Sequence, residues 1–158
     1  MSYHILFVCT GNICRSPTAE GVFQHYLANS SLKNIIRTDS AGTQNQHAGE
    51  APDPRSVAAA KKRDIDLTNL KARKVTLDDF ANFDLVLACD NSHLTHLKNM
   101  APQRSKANID LYLSYAGIMN PTEVPDPYYG SHRDFEYVLD LVQNATQRLI
   151  GRLQKELG

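Results

Sequence analysis

"HILFVCTGNICRSPTAEGVFQHYL", residues 4 to 27, changes its hydrophobic period halfway along. His4 to Val8 is a short apolar, partly β-branched run, the pattern of a buried parallel strand, and it breaks at Gly11 and Asn12. Beyond Pro17, the apolar residues Ala19, Val22, Phe23, Tyr26 and Leu27 fall three, one, three and one positions apart, which predicts a helix reaching about Asn29. Strand, polar loop and helix in that order are the opening unit of an α/β fold. Two cysteines, Cys9 and Cys14, share the single loop. They fit a disulfide, half of a metal site, or a nucleophile with a companion.

The rest of the chain repeats the alternation. A second strand is predicted over Asn34 to Thr38, ending in "DSAGT", and a third over Phe83 to Ala88, before "CDNSH". Helical patterns cover Arg55 to Lys62, a segment starting near Asn91, and Arg133 to Leu157. The last places Phe135, Val138, Leu139, Val142, Leu149 and Leu153 on one stripe, to be packed on the sheet. The fold class is therefore α/β with a mostly parallel sheet, in which ligands sit beyond the carboxyl ends of the strands. The loops after Val8, Thr38 and Ala88 should converge there. "NPTEVPDPYYG" at 120 to 130 reads as one long surface loop, a common home for functional groups.

Composition narrows the partners. The 158 residues, 42% hydrophobic, suit one domain over 1–158 with an ordinary core. Lys plus Arg number 17 and Asp plus Glu number 17, so no overall field draws the molecule to nucleic acid or an anionic membrane. An anion site must be built locally. The start of the chain carries no basic region, and no stretch approaches a membrane span, which predicts a soluble, unexported protein. Three cysteines, Cys9, Cys14 and Cys89, are too few and of the wrong parity for a secreted disulfide framework, and favour the reducing cytoplasm. His47, His93, His96 and His132 lack ligand spacing with cysteines or acids, so no metal is predicted.

The opening loop has the makings of an anion nest. Five residues separate Cys9 from Arg15, and a turn that tight can aim successive backbone N–H groups inward. Gly11 and Asn12 tolerate a left-handed backbone, while Ser16 and Pro17 suit the cap and first position of the next helix, whose N-terminus would face the same anion. Arg15 binds two oxygens through its planar fork, which lysine does not reproduce. These surroundings favour a thiolate at Cys9, beneath a bound phosphate. Attack on phosphorus would form a phosphocysteine, with Arg15 and the amides of Thr10, Gly11, Asn12, Ile13 and Cys14 holding the oxygens. Asp126, presented between Pro125 and Pro127, is the candidate to protonate the leaving oxygen and then deprotonate water. Tyr128 and Tyr129 beside it offer an aromatic wall.

"VCTGNICRSP", "DSAGT", "PDPRS", "LKARKVT" and "PDPYYGSHRDFE" together resemble the low-molecular-weight protein tyrosine phosphatases, over nearly the whole chain. The resemblance implies a four-stranded parallel sheet flanked by helices on both faces, a phosphate-binding loop between strand 1 and helix 1, and phosphotyrosine hydrolysis without a cofactor. It implies Cys9 as nucleophile, Arg15 as phosphate clamp and Asp126 as general acid. Asn12, Ser16 and Ser40 would form a supporting network, Ile13, Gln46, Tyr128 and Tyr129 would line the substrate cleft, and Cys14 would be a reversible disulfide partner for oxidised Cys9. Phosphotyrosine proteins are the implied substrates, with a bacterial tyrosine kinase as one counterpart. Two positions depart from the family: Leu70 stands where a histidine often joins the network, and Gln46 where many members carry tryptophan.

Plainer roles compete with some of these. Cys89 reads as core, Cys14 and the two tyrosines fit ordinary packing, and Asp90 with Asn91 fits a helix cap and nothing more. An arsenate reductase would want another cysteine soon after Cys89, where only His93 and His96 precede Met100. A protein arginine phosphatase on the same scaffold is the nearer alternative, although such enzymes tend to have threonine where Ile13 stands.

Overall fold

A computed structural model describes residues 1–158. Its strands are β1 (Tyr3–Cys9), β2 (Ile36–Gly42), β3 (Leu85–Ala88) and β4 (Asn108–Leu111). Its helices are α1 (Arg15–Leu27), α2 (Pro54–Lys61), α3 (Asp79–Asn82), α4 (Asn91–Met100), α5 (Tyr112–Tyr115) and α6 (His132–Leu157). The four strands form one parallel sheet in the order β2-β1-β3-β4. Cys9 at the end of β1 lies opposite Gly42 at the end of β2, and Val8 opposite Ala88 at the end of β3. The three carboxyl ends therefore meet at one edge, as the alternation predicts.

The strand alternation divides the core in two. Ile5, Phe7 and Cys9 of β1, with Leu85, Leu87 and Cys89, face a large cluster shared with α1, α2, α5 and α6. Leu6 and Val8, with Val86 and Ala88, face a smaller one that Phe80 and Leu97 complete from α3 and α4. Helices thus cover both faces. Phe7 is the keystone of the larger cluster: its ring centroid lies 5.9 Å from Phe23 and 5.3 Å from Tyr112, and all three are fully buried. The predicted stripe of α6 is buried throughout, and a Ser131–Asp134 capping box starts that helix.

Two boundaries beside the loop, and the conformation of one loop residue, differ from the sequence reading. Helix α1 begins at Arg15 with Cys14 at its N-cap, so Ser16 and Pro17 lie inside the first turn rather than at the cap and first position. Ser16 is diverted to hydrogen bonds with Cys9 and Asn12. Strand β2 runs from Ile36 to Gly42 instead of Asn34 to Thr38, which puts Ser40 in the strand. Of the two residues expected to curl the loop, only Asn12 is left-handed, with φ 58°. Gly11 serves close approach instead, since a Cβ there would lie 3.0 Å from the His47 ring. Strand β4 and helices α3 and α5 have four residues each, too short for a period to register.

Candidate active site

The turn from Thr10 to Cys14 closes around amides that the protein leaves free. The backbone N–H groups of Gly11, Asn12, Ile13 and Cys14 donate to no backbone acceptor, and the Cys14 N-cap makes no side-chain cap bond. They lie at the N-terminus of α1, so turn and helix present the same positive end. Beneath them, Cys9 Sγ lies 3.0 Å from Ser16 Oγ. The turn is braced from the residues that follow β2: Thr43 N–H donates to Cys9 O at 2.9 Å and Gln44 N–H to Thr10 O at 3.0 Å. A Cβ on Gly42 would come within 2.6 Å of Thr10 O, so this approach requires glycine.

Asn12 ties the loop to the sheet. Its Nδ2 donates to Ser16 Oγ at 2.7 Å and to Ser40 Oγ at 2.9 Å, and its Oδ1 accepts from Arg73 N–H at 3.0 Å. Ser40 Oγ in turn donates to Glu20 Oε1 at 2.7 Å. With Leu70 packed against the core where the family often has a histidine, the network ends on a buried carboxyl. Burial pushes Glu20 up to about 7, against the Ser40 hydroxyl, which favours its charged form.

Arg15 is only 4% exposed, and its fork is held on its outer side. Nη1 donates to Asp90 Oδ2 at 2.8 Å and to Val124 O at 3.1 Å; Nη2 donates to Thr10 Oγ1 at 3.4 Å and lies 3.8 Å from Asp126 Oδ2. Asp90 therefore does more than cap α4, contrary to the plainer reading. Burial would raise its pKa, but hydrogen bonds from Ser92 and Arg15 outweigh that and hold the carboxyl below its usual value. Buried ion pairs strengthen in low dielectric, and this one fixes the orientation of a guanidinium that faces the cavity.

That cavity, about 260 Å³, is lined by Cys9, Thr10, Gly11, Ile13, Cys14 and Arg15 from the loop, Gln44, Gln46 and His47 beyond β2, and Asp126, Tyr128 and Tyr129 from the long loop. All the predicted catalytic and cleft residues converge on it. Asn12, Ser16 and Ser40 sit behind it, as expected of a supporting network. Asp126 has a 51% exposed side chain and accepts from Tyr128 N–H at 3.1 Å, which leaves Oδ2 toward the cavity side of Arg15. Tyr128 and Tyr129 meet edge to face at 4.9 Å, Tyr129 almost wholly exposed, while Gln46 and His47 form the other wall.

Cys14 is buried and unbridged, and its thiol is pushed up to about 12 by burial and by Asp53. Both effects favour its thiol form over the thiolate. Arg55 was not legible as a site residue. Its guanidinium donates to Tyr128 O at 2.9 Å, pairs with Asp53 at the α2 N-cap at 2.8 Å, and lies 5.3 Å from the Tyr128 ring centroid, fastening the acid-bearing loop to α2. The motif "PDPRS" held the clue: Asp53 accepts from the Arg55 backbone N–H and guanidinium, which holds the side chain with Nη1 on the neighbouring loop.

Comparison with known proteins agrees with this geometry. A family model described as low molecular weight phosphotyrosine protein phosphatase matches residues 4–158. A low molecular weight protein-tyrosine-phosphatase of Streptomyces coelicolor is 39% identical over 160 residues, spanning 99% of this chain and 97% of its own. A crystallised protein tyrosine phosphatase from Entamoeba histolytica, with Hepes in its active site, superposes with a TM-score of 0.92 at 37% identity, over 98% of this chain and 99% of its own. A Drosophila arginine phosphatase shares the fold with a TM-score of 0.86 at 30% identity, over 98% of each chain.

Proposed function

This chain belongs to the low molecular weight phosphotyrosine protein phosphatase family and hydrolyses phosphotyrosine, and from that premise we propose how its own residues carry the reaction. The Cys9 thiolate attacks phosphorus; the S–P bond forms as the P–O bond to the tyrosine ring breaks, and Asp126 gives its proton to the departing phenolate. The Asp126 carboxylate then takes a proton from water, whose oxygen bonds to phosphorus as the S–P bond breaks, releasing phosphate and the Cys9 thiolate. Arg15 and the amides of Gly11, Asn12, Ile13 and Cys14 hold the non-bridging oxygens through both steps. The observation that carries this reading is the buried Arg15 fork, pinned by Asp90 and Val124 O beside a turn of free amides, with Cys9 Sγ at its base.

Ser16 accepts from Asn12, and its own proton, with Ala41 O the more distant acceptor at 3.4 Å, serves a Cys9 thiolate at 3.0 Å, the charge that the reaction begins and ends with. Cys14 serves as the redox partner: peroxide converts Cys9 to a sulfenic acid, and the Cys14 thiol displaces water from it to form a disulfide. Residues 1–158 act as one unit, the reaction drawing on β1, α1, β2, α4 and the loop before α6 together. The substrates are phosphotyrosine proteins, among them a bacterial tyrosine kinase, and the three reduced cysteines suit the cytoplasm.

Cys9→Ser tests the reading. It should abolish phosphate release from phosphotyrosine peptide while inorganic phosphate still binds; substantial turnover would remove Cys9 from the nucleophile role. Phosphoarginine peptide, offered in parallel to wild type, should be cleaved far more slowly than phosphotyrosine, and the reverse preference would favour the arginine phosphatase reading.

A further inference from the structure

Thr10 and His93 make the shortest side-chain contact at the cavity that the proposed reaction does not use. His93 lies at the third position of α4, 2% exposed, and its Nε2 is 2.7 Å from Thr10 Oγ1. Its other nitrogen decides the direction of that bond. Nδ1 accepts the Asp90 backbone N–H at 3.2 Å, within the α4 capping box, so it has no proton of its own. Asp90 Oδ1 is equally close to Nδ1, but it is already occupied by Ser92 N–H, the Ser92 hydroxyl and His93 N–H. Burial also lowers the His93 pKa to about 4, against the pull of Asp90, which leaves one proton on the ring at neutral pH. That proton is on Nε2, and Thr10 accepts it.

Thr10 Oγ1 also accepts from Arg15 Nη2 at 3.4 Å. Both of its lone pairs are then engaged, and the hydroxyl proton has no acceptor within the protein. Thr10 lines the cavity beside Cys9 and Arg15. We infer that His93 is a positioning residue for the hydrolysis: by donating from Nε2 to Thr10 Oγ1, it turns the Thr10 hydroxyl proton toward the phosphoryl group held over Cys9. The inference rests on the reading of this cavity as the phosphate site. Asp90 then orients two donors at once, Arg15 through its carboxylate and Thr10 through the ring it sets, so that the start of α4 acts as a bracket for the catalytic loop.

The test combines a mutant cycle with a spectrum of the wild type. Thr10→Val removes the hydroxyl at nearly constant shape, and His93→Asn keeps a side-chain acceptor for the Asp90 amide while being too short to span to Thr10. Each single variant should lose about tenfold in kcat/KM for an aryl phosphate, the size of one hydrogen bond to a charged group. The double variant should lose no more than either single one. Losses that multiply, or wild-type kcat/KM in either variant, would overturn the inference. In wild-type protein, ¹⁵N NMR should show the Nε2-protonated tautomer of His93, with the Nε2–H resonance moving when inorganic phosphate is added and holding still in Thr10→Val. A ring protonated on Nδ1, or a resonance indifferent to phosphate, would overturn it even if His93→Asn does not fold. Failure of the site reading itself has a different signature, turnover that survives Cys9→Ser.

Discussion

Asp126 is the one side chain that must act in both halves of the proposed reaction, first as acid and then as base. A group that protonates the leaving oxygen matters most when that oxygen is basic, so Asp126→Ala should slow aryl phosphates with poor leaving groups by about 10²- to 10⁴-fold and those with good leaving groups far less. A rate series across substituted phenols measures this, and an equal loss throughout would count against the assignment. Cys14 has its own test: peroxide-inactivated wild type should recover activity with thiol, while Cys14→Ser should recover poorly. Cys9, Arg15 and Asn12 were legible in the sequence because one short turn carries them, and Asp126 because two prolines mark it. Asp90, His93, Glu20 and Arg55 were not, since the bond partner of each lies on another element, far off in sequence. Ser40 is legible through family resemblance alone, and its onward bond to Glu20 is visible only in the structure.

Among the elements, the loop that bears Asp126 depends on α2. Arg55 reaches from the first turn of α2 to the Tyr128 carbonyl, with its guanidinium 4.6 Å from the Phe135 ring centroid at the start of α6. Arg55→Ala should raise KM for aryl phosphates several-fold and make the loop more readily cut by protease between residues 120 and 131; unchanged KM and cleavage would show that the loop holds its place unaided. Long periodic elements were readable: α6 keeps its predicted stripe, and β1 contains the predicted strand. Strand β4 was not, because Asn108 and Asp110 interrupt a four-residue edge strand. The start of α1 was misjudged for a chemical reason, as the serine that looks like a cap is committed to Cys9 and Asn12.

In the molecule as a whole, stability and reaction share the same buried groups. Phe7→Ala empties the junction of Phe23 and Tyr112 and should cost about 3–5 kcal/mol of unfolding free energy, read by denaturant titration. Glu20 and His93 impose opposite pH dependences. Glu20 is raised from 4.5 to about 7, so its contribution is complete below pH 4.5 and is lost as pH rises through 7. His93 is lowered from 6.5 to about 4, so its contribution is complete above pH 6.5 and is lost as pH falls toward 4. Glu20→Gln should therefore remove the falling component, changing the stability difference from wild type by about 1–3 kcal/mol between pH 4.5 and 7; a constant difference would mean that the carboxyl is ionised throughout. No helix is long and apolar enough to cross a membrane. The covalent intermediate can be trapped by acid quenching of the enzyme during turnover of an aryl phosphate, followed by mass spectrometry of its peptides. A phosphoryl adduct on Cys9 should appear and accumulate further in Asp126→Ala with a good leaving group; an adduct on another residue, or none under steady turnover, would rule out Cys9 as the nucleophile.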